Sequence, residues 1–168
     1  VDGIEVADPE ATSDGNSAEL TVVGGEGNDK FTIDHNEAVL WLYGDGGDDT
    51  FVINTFLVLR DRTTGEISNI ANITGGEGAD QYEYLQNAPV NIDGGDGYDT
   101  VTINGTPIGD QFVVTENFAI GAGRWIGYTN IERLEINSAG GDDEIYILST
   151  SKDLETTIRG GDGDDIVH

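Results

Sequence analysis

The run Gly24-Gly25-Glu26-Gly27-Asn28-Asp29-Lys30-Phe31-Thr32-Ile33 decides how this chain is read, because it recurs. Copies run from Gly44 to Ile53, Gly75 to Tyr84, Gly94 to Ile103 and Ser138 to Ile147, and from Gly160 to the end. The shared phrase is Gly-Gly-x-Gly-x-Asp followed by x-apolar-x-apolar. The second copy carries Asp45-Gly46 where the others have Gly-x, and the fifth opens Ser138-Ala139. The closing aspartates are Asp29, Asp49, Asp80, Asp99, Asp143 and Asp165. Apolar residues stand two and four positions beyond them, as with Phe31 and Ile33. They also stand two and four positions before the loops, as with Val22 and Leu20 or Ile92 and Val90, Thr156 before the sixth loop being the exception. Period-two alternation on both sides of a loop predicts strand, loop, strand, with one strand face buried. Repetition in register predicts a solenoid.

Asp29 and Asp49 are 20 residues apart, Asp80 and Asp99 19, and Asp143 and Asp165 22. That distance suits one circuit of two strands and two turns. Asp49 to Asp80 is 31, which leaves an insertion near 54–72, turning at Thr64-Gly65. Asp99 to Asp143 is 44, read as two circuits with one decayed loop and a second insertion near 105–130. There Asp110 keeps the Asp-x-apolar-x-apolar ending and is the candidate for an ion on the opposite rim. Arg124, in a glycine-rich stretch without acids, is the candidate positive charge in place of an ion. Residues 1–18 read as an irregular lead-in, with turn signals at Asp8-Pro9 and Ser13-Asp14-Gly15-Asn16. The last copy breaks off after Val167, so 19–168 reads as a segment of a longer solenoid. No amphipathic helix is predicted. The expected fold is all-β: a right-handed parallel β-solenoid with its six loops stacked along one rim.

Thirty-three acidic residues against seven basic give a formal net charge of -26. Such a chain repels nucleic acid and anionic membrane surfaces, and it repels itself. Its 36% hydrophobic content, in strict alternation, argues against permanent disorder. No apolar run is long enough for a membrane-spanning helix. With no cysteine there are no disulfides and no thiol chemistry. No nucleophile elbow, catalytic His pairing or phosphate-binding loop is present, so no enzyme activity is expected.

Glycine admits positive φ and lets carbonyls crowd toward a common centre, and Asp adds a hard anionic oxygen. Oxygen donors without His or Cys select a hard cation, and carbonyl-rich loops favour calcium over magnesium. One six-residue loop cannot enclose such an ion. Two loops stacked about 4.8 Å apart can share it.

The phrase resembles the nonapeptide of the RTX, or haemolysin-type, calcium-binding repeat proteins. The resemblance implies a parallel β-roll with calcium held between successive loops. Carried over by position, it implicates the six closing aspartates and the carbonyls of Gly25, Gly27, Gly76, Gly78, Gly95, Gly97, Gly161 and Gly163. Glu26, Asn28, Asp45, Asp48, Glu77, Asp96, Asp142, Asp162 and Asp164, inside the loops, are secondary candidates. About three to six calcium ions are expected. In the family the motif usually runs back to back and loads both rims. Here it recurs once per circuit, which predicts loading of one. The resemblance also implies bacterial type I secretion and an extracellular or cell-surface location.

Three roles follow for such a module. The first is a structural or adhesive segment of a large surface protein, in contact with neighbouring repeats and with a surface glycan or protein. The second is an accessory domain of a secreted lipase, protease or polysaccharide-modifying enzyme. The third is a glycan-binding module, for which Trp41 and Trp125 are the stacking candidates. Trp41, out of phase with Leu40 and Leu42, is expected to face outward. His35, in an acidic turn, is read as exposed, and no role is read for His168.

Overall fold

Alternating apolar residues give this chain its strands, and glycine loops separate them. The computed structural model describes residues 18–54, 63–66, 70–85, 89–121 and 124–168. Among the described residues there are fifteen strands and no helix. They are β1 (Leu20–Glu26), β2 (Lys30–Ile33), β3 (Leu40–Gly46), β4 (Thr50–Ile53), β5 (Ala71–Gly78), β6 (Gln81–Tyr84), β7 (Val90–Gly97) and β8 (Thr100–Asn104). Then come β9 (Gln111–Val114), β10 (Phe118–Gly121), β11 (Arg124–Thr129), β12 (Arg133–Asn137), β13 (Glu144–Ile147), β14 (Glu155–Arg159) and β15 (Ile166–Val167). Most of the lead-in and much of the insertion near 54–72 lie outside the described residues, as does the Arg124 side chain.

A nine-stranded sheet has the order β1-β3-β5-β7-β11-β10-β9-β13-β15, and a six-stranded sheet the order β14-β12-β8-β6-β4-β2. Consecutive strands alternate between the sheets, except that β9, β10 and β11 follow one another within the larger one. All pairings are parallel apart from the two made by β10. The arrangement is compatible with a β-solenoid or roll.

Register keeps like residues in rows. In the small sheet Phe31, Phe51, Tyr82, Val101 and Leu134 align. In the large sheet Leu42, Ile73, Ile92 and Tyr128 align. These rows face one core in which Phe51, Val101, Leu134, Ile136 and Ile145 are fully buried. Burying them removes apolar surface from water at about 25 cal/mol per Å². Stacked like residues satisfy that demand circuit after circuit.

The expectation of one loaded rim is corrected by this topology. The loops closing at Asp29, Asp49, Asp80 and Asp99 each lead from the large sheet into the small one. Those closing at Asp143 and Asp165 lead from the small sheet back into the large one, as does the decayed loop at Asp110. Because the crossing strands within each sheet are parallel, the two sets lie on opposite rims. The interval from Asp99 to Asp143 therefore holds one and a half circuits, with the β9–β11 meander as its passage through the large sheet, where two circuits were expected. Leu134 and Ile136, preceding the fifth loop, align with Val101 and Ile103, which follow the fourth. An apolar-x-apolar pattern on both sides of every loop conceals such a half-circuit shift.

Candidate metal centre

Each full loop is built on two residues of positive φ, the second and the fourth. The values run from 74° at Asp45 and Ala139 to 144° at Gly97. Asp45 and Ala139 hold a conformation that glycine occupies in the other loops, at a cost that Asp tolerates better than Ala. The β1, β3, β5 and β7 ladders extend into the loops, pairing Gly25 with Asp45, Asp45 with Gly76 and Gly76 with Gly95. The fourth-position carbonyls of Gly27, Gly47 and Gly78 press on the fourth glycine of the next loop, where a side chain would overlap them.

The closing aspartates form a continuous ladder. The Asp29 N–H donates to Asp49 Oδ1 at 2.7 Å, that of Asp49 to Asp80 Oδ1 at 2.8 Å, and that of Asp80 to Asp99 Oδ1 at 2.8 Å. The ladder ends on Glu132, whose Oε2 accepts the Asp99 N–H at 2.8 Å. On the opposite rim Asp110 donates to Asp143 Oδ1 at 2.7 Å, and Asp143 to Asp165 Oδ1 at 3.1 Å.

The second oxygen of these carboxylates sets the chemistry. Oδ2 of Asp29, Asp49, Asp80, Asp99 and Asp143 is buried and has no hydrogen-bond partner. In the glycine-led loops it points back over the first residue: a methyl group at Gly24 would lie 2.5 Å from Asp29 Oδ2, and one at Gly94 2.6 Å from Asp99 Oδ2. The first glycine of those loops makes room for the carboxylate, whereas the fifth loop has Ser138 at that position. Burial pushes the Asp80 carboxyl up to about 6, against the Asp49 N–H that lowers it and with the neighbouring charges of Asp99 and Asp49 that raise it further. Burial likewise raises Asp49 and Asp99 above the usual carboxylate range.

The secondary candidates divide by position. Glu26, Glu77, Asp96 and Asp162, third in their loops, are exposed. At the fifth position a second ladder runs the other way. Asn28 Oδ1 accepts the Asp48 N–H at 3.0 Å, Asp48 Oδ1 the Ala79 N–H at 2.9 Å, and Asp142 Oδ1 the Asp164 N–H at 3.0 Å. Asp110 differs from the full loops because its Oδ2 accepts the N–H of Thr106 at 2.6 Å.

Buried unpartnered carboxylate oxygens need a proton or a cation. The donor set, carboxylates and glycine carbonyls, fits a hard divalent ion. Among the described residues no three Asp, Glu or His side chains gather at one point. An ion here would therefore complete its shell from backbone carbonyls, which the stacked loops supply.

Sequence reading missed Glu132. Its signal was present: Leu134 and Ile136 follow it at the same two offsets as Val101 and Ile103 follow Asp99. The two tryptophans are not brought together. Trp41 is half-buried and donates through Nε1 to Glu19 at 2.7 Å. Trp125 is 42% exposed on β11, with β5 and β7 between it and β3. His35 sits 3.8 Å from Glu37, and His168 stacks on Tyr146. The chain matches no protein-family model, no curated protein and no solved structure.

Proposed function

We propose that this chain is a calcium-dependent structural module of a secreted or cell-surface bacterial protein, a right-handed parallel β-solenoid that assembles outside the cell. The observation that carries the reading is the run of buried carboxylate oxygens without partners, in a chain of net charge -26. The motif's resemblance to RTX repeats supports it.

Asp29, Asp49, Asp80 and Asp99 would hold ions on one rim and Asp143 and Asp165 on the other, with carbonyls of the stacked glycines beside them. Bound calcium supplies a hard positive centre with flexible coordination by about 6–8 oxygens. The chain's own residues do the rest. The N–H-to-carboxylate ladder fixes each Asp against the next loop, and the first glycine admits its second oxygen. The positive-φ pair folds the loop tightly enough to stack. Because the sites exist only between stacked loops, ion binding is coupled to folding. Extracellular modules bind calcium at roughly 10⁻⁴–10⁻³ M. A chain of this kind stays loose at low calcium and coils up at millimolar calcium. The role that follows is a rigid segment of a large surface protein, an adhesin above all, whose neighbours in the parent chain are further repeats.

Circular dichroism of the whole chain tests this. Coil in chelator and β structure in millimolar calcium are expected. A spectrum indifferent to calcium contradicts the reading.

A further inference from the structure

The outer face of the large sheet carries a feature that the ion reading does not use. Across β5, β7 and β11, the residues alternating with the core form two rows. Asn72, Asn91 and Gly127 align in one, and Thr74, Asp93 and Thr129 in the other. Asn91 Nδ2 donates to Asn72 Oδ1 at 2.9 Å, so the two amides form a short ladder across the strands. A cleft of about 440 Å³ opens over these rows, with Trp125 and Phe118 among its lining residues. The Trp125 ring lies over Gly127, where a methyl group would approach its ring carbons to within 3.0 Å. Its centroid is 6.5 Å from that of Phe118. Gly127 thus seats an indole that is still 42% exposed.

We infer that this cleft binds a neutral oligosaccharide, one sugar ring packed on Trp125 and its hydroxyls hydrogen-bonded by Asn72, Asn91 and the threonines. Chemistry selects the ligand. A floor of amides and hydroxyls beside an exposed indole suits a molecule with apolar C–H faces and polar edges. No Lys or Arg lines the cleft among the described residues, and its one acid, Asp93, is held by Asn130 Nδ2 at 2.7 Å. With no basic group to receive them, anionic ligands are repelled by the field of so acidic a chain. An apolar side chain would offer nothing to the amide donors and acceptors that the Asn91–Asn72 bond does not use.

The test uses the chain in millimolar calcium, its β content verified by circular dichroism, so that failure of folding and failure of binding are separate readouts. The probes are cello-, malto-, manno- and chito-oligosaccharides, with an oligogalacturonate as acidic control. The chain has two tryptophans, so Trp41→Phe leaves Trp125 as the single indole reporter. At least one neutral probe is expected to shift Trp125 fluorescence and to release heat in calorimetry. Trp125→Ala should weaken binding roughly tenfold or more. Asn91→Ala should weaken it less, both with unchanged dichroism. Absence of binding by every neutral probe, binding unaffected by Trp125→Ala, or preference for the acidic control would each overturn the inference.

Discussion

At Gly44 a methyl group would overlap Asp49 Oδ2 and lie 2.5 Å from the carbonyl oxygen of Gly75. At Gly46, two residues on, the nearest atom to such a methyl is Glu26 Oε2 at 3.5 Å, the end of a flexible side chain. Two glycines of one loop thus have different reasons to be there. Gly44→Ala is expected to destabilise the calcium-loaded chain by roughly 1–3 kcal/mol, and Gly46→Ala to be close to neutral. Paired urea melts check this, and equal losses would contradict the role given to the first loop residue. The carboxylates have their own signature. Asp80 ordinarily titrates at 3.8 and in the folded chain at about 6. The fold therefore binds that proton more tightly than the unfolded chain does. Its contribution to stability is full below 3.8 and is lost as pH rises through about 6. Asp49 and Asp99 shift in the same direction. In chelator, acidification from pH 7.5 to pH 5 should therefore restore part of the β structure that is lost without calcium at neutral pH, and Asp80→Asn should lessen that pH dependence. A β content in chelator that rises with pH would contradict the burial of these groups.

Each strand depends on its neighbours in register. Phe31, Phe51 and Tyr82 stack with centroids 4.8 and 5.0 Å apart and rings within 6° of parallel. Phe51, in the middle, is fully buried. Phe51→Ala should cost about 3–5 kcal/mol, and Phe51→Leu clearly less, as measured by chemical denaturation in calcium. Loss of the central ring without a stability change would mean that the two sheets do not share this core. Much at this scale was legible from period-two alternation. The strands flanking Asp29, Asp49, Asp80 and Asp99, their parallel pairing and their buried faces all follow from it. What alternation cannot encode is which sheet a strand joins. Val101 and Leu134 look alike from sequence whether they precede or follow a loop, and only pairing distinguishes them. The β10–β11 hairpin was hidden for a related reason. The glycine-rich, acid-free run around Gly121 gives no sign of an antiparallel pairing, and the acid at the crossing from β11 to β12 is Glu132 rather than Asp.

For the whole molecule the controlling quantity is charge. A net charge of -26 on 168 residues opposes compaction. The ladders concentrate that charge in rows on two rims: four buried aspartates and half-buried Glu132 on one, and buried Asp143 between half-buried Asp110 and Asp165 on the other. Glycine spacing made the loops themselves legible. Their division between rims was not, because a crossing in either sense carries the same phrase. The most direct test of the account is the number of calcium ions held per chain, counted by native mass spectrometry after exchange into millimolar calcium. About three to six ions are predicted, fewer in Asp99→Ala and unchanged in Asp34→Ala, which lies outside the loops. A bare chain mass at saturating calcium, or equal loss of ions in both variants, would contradict it.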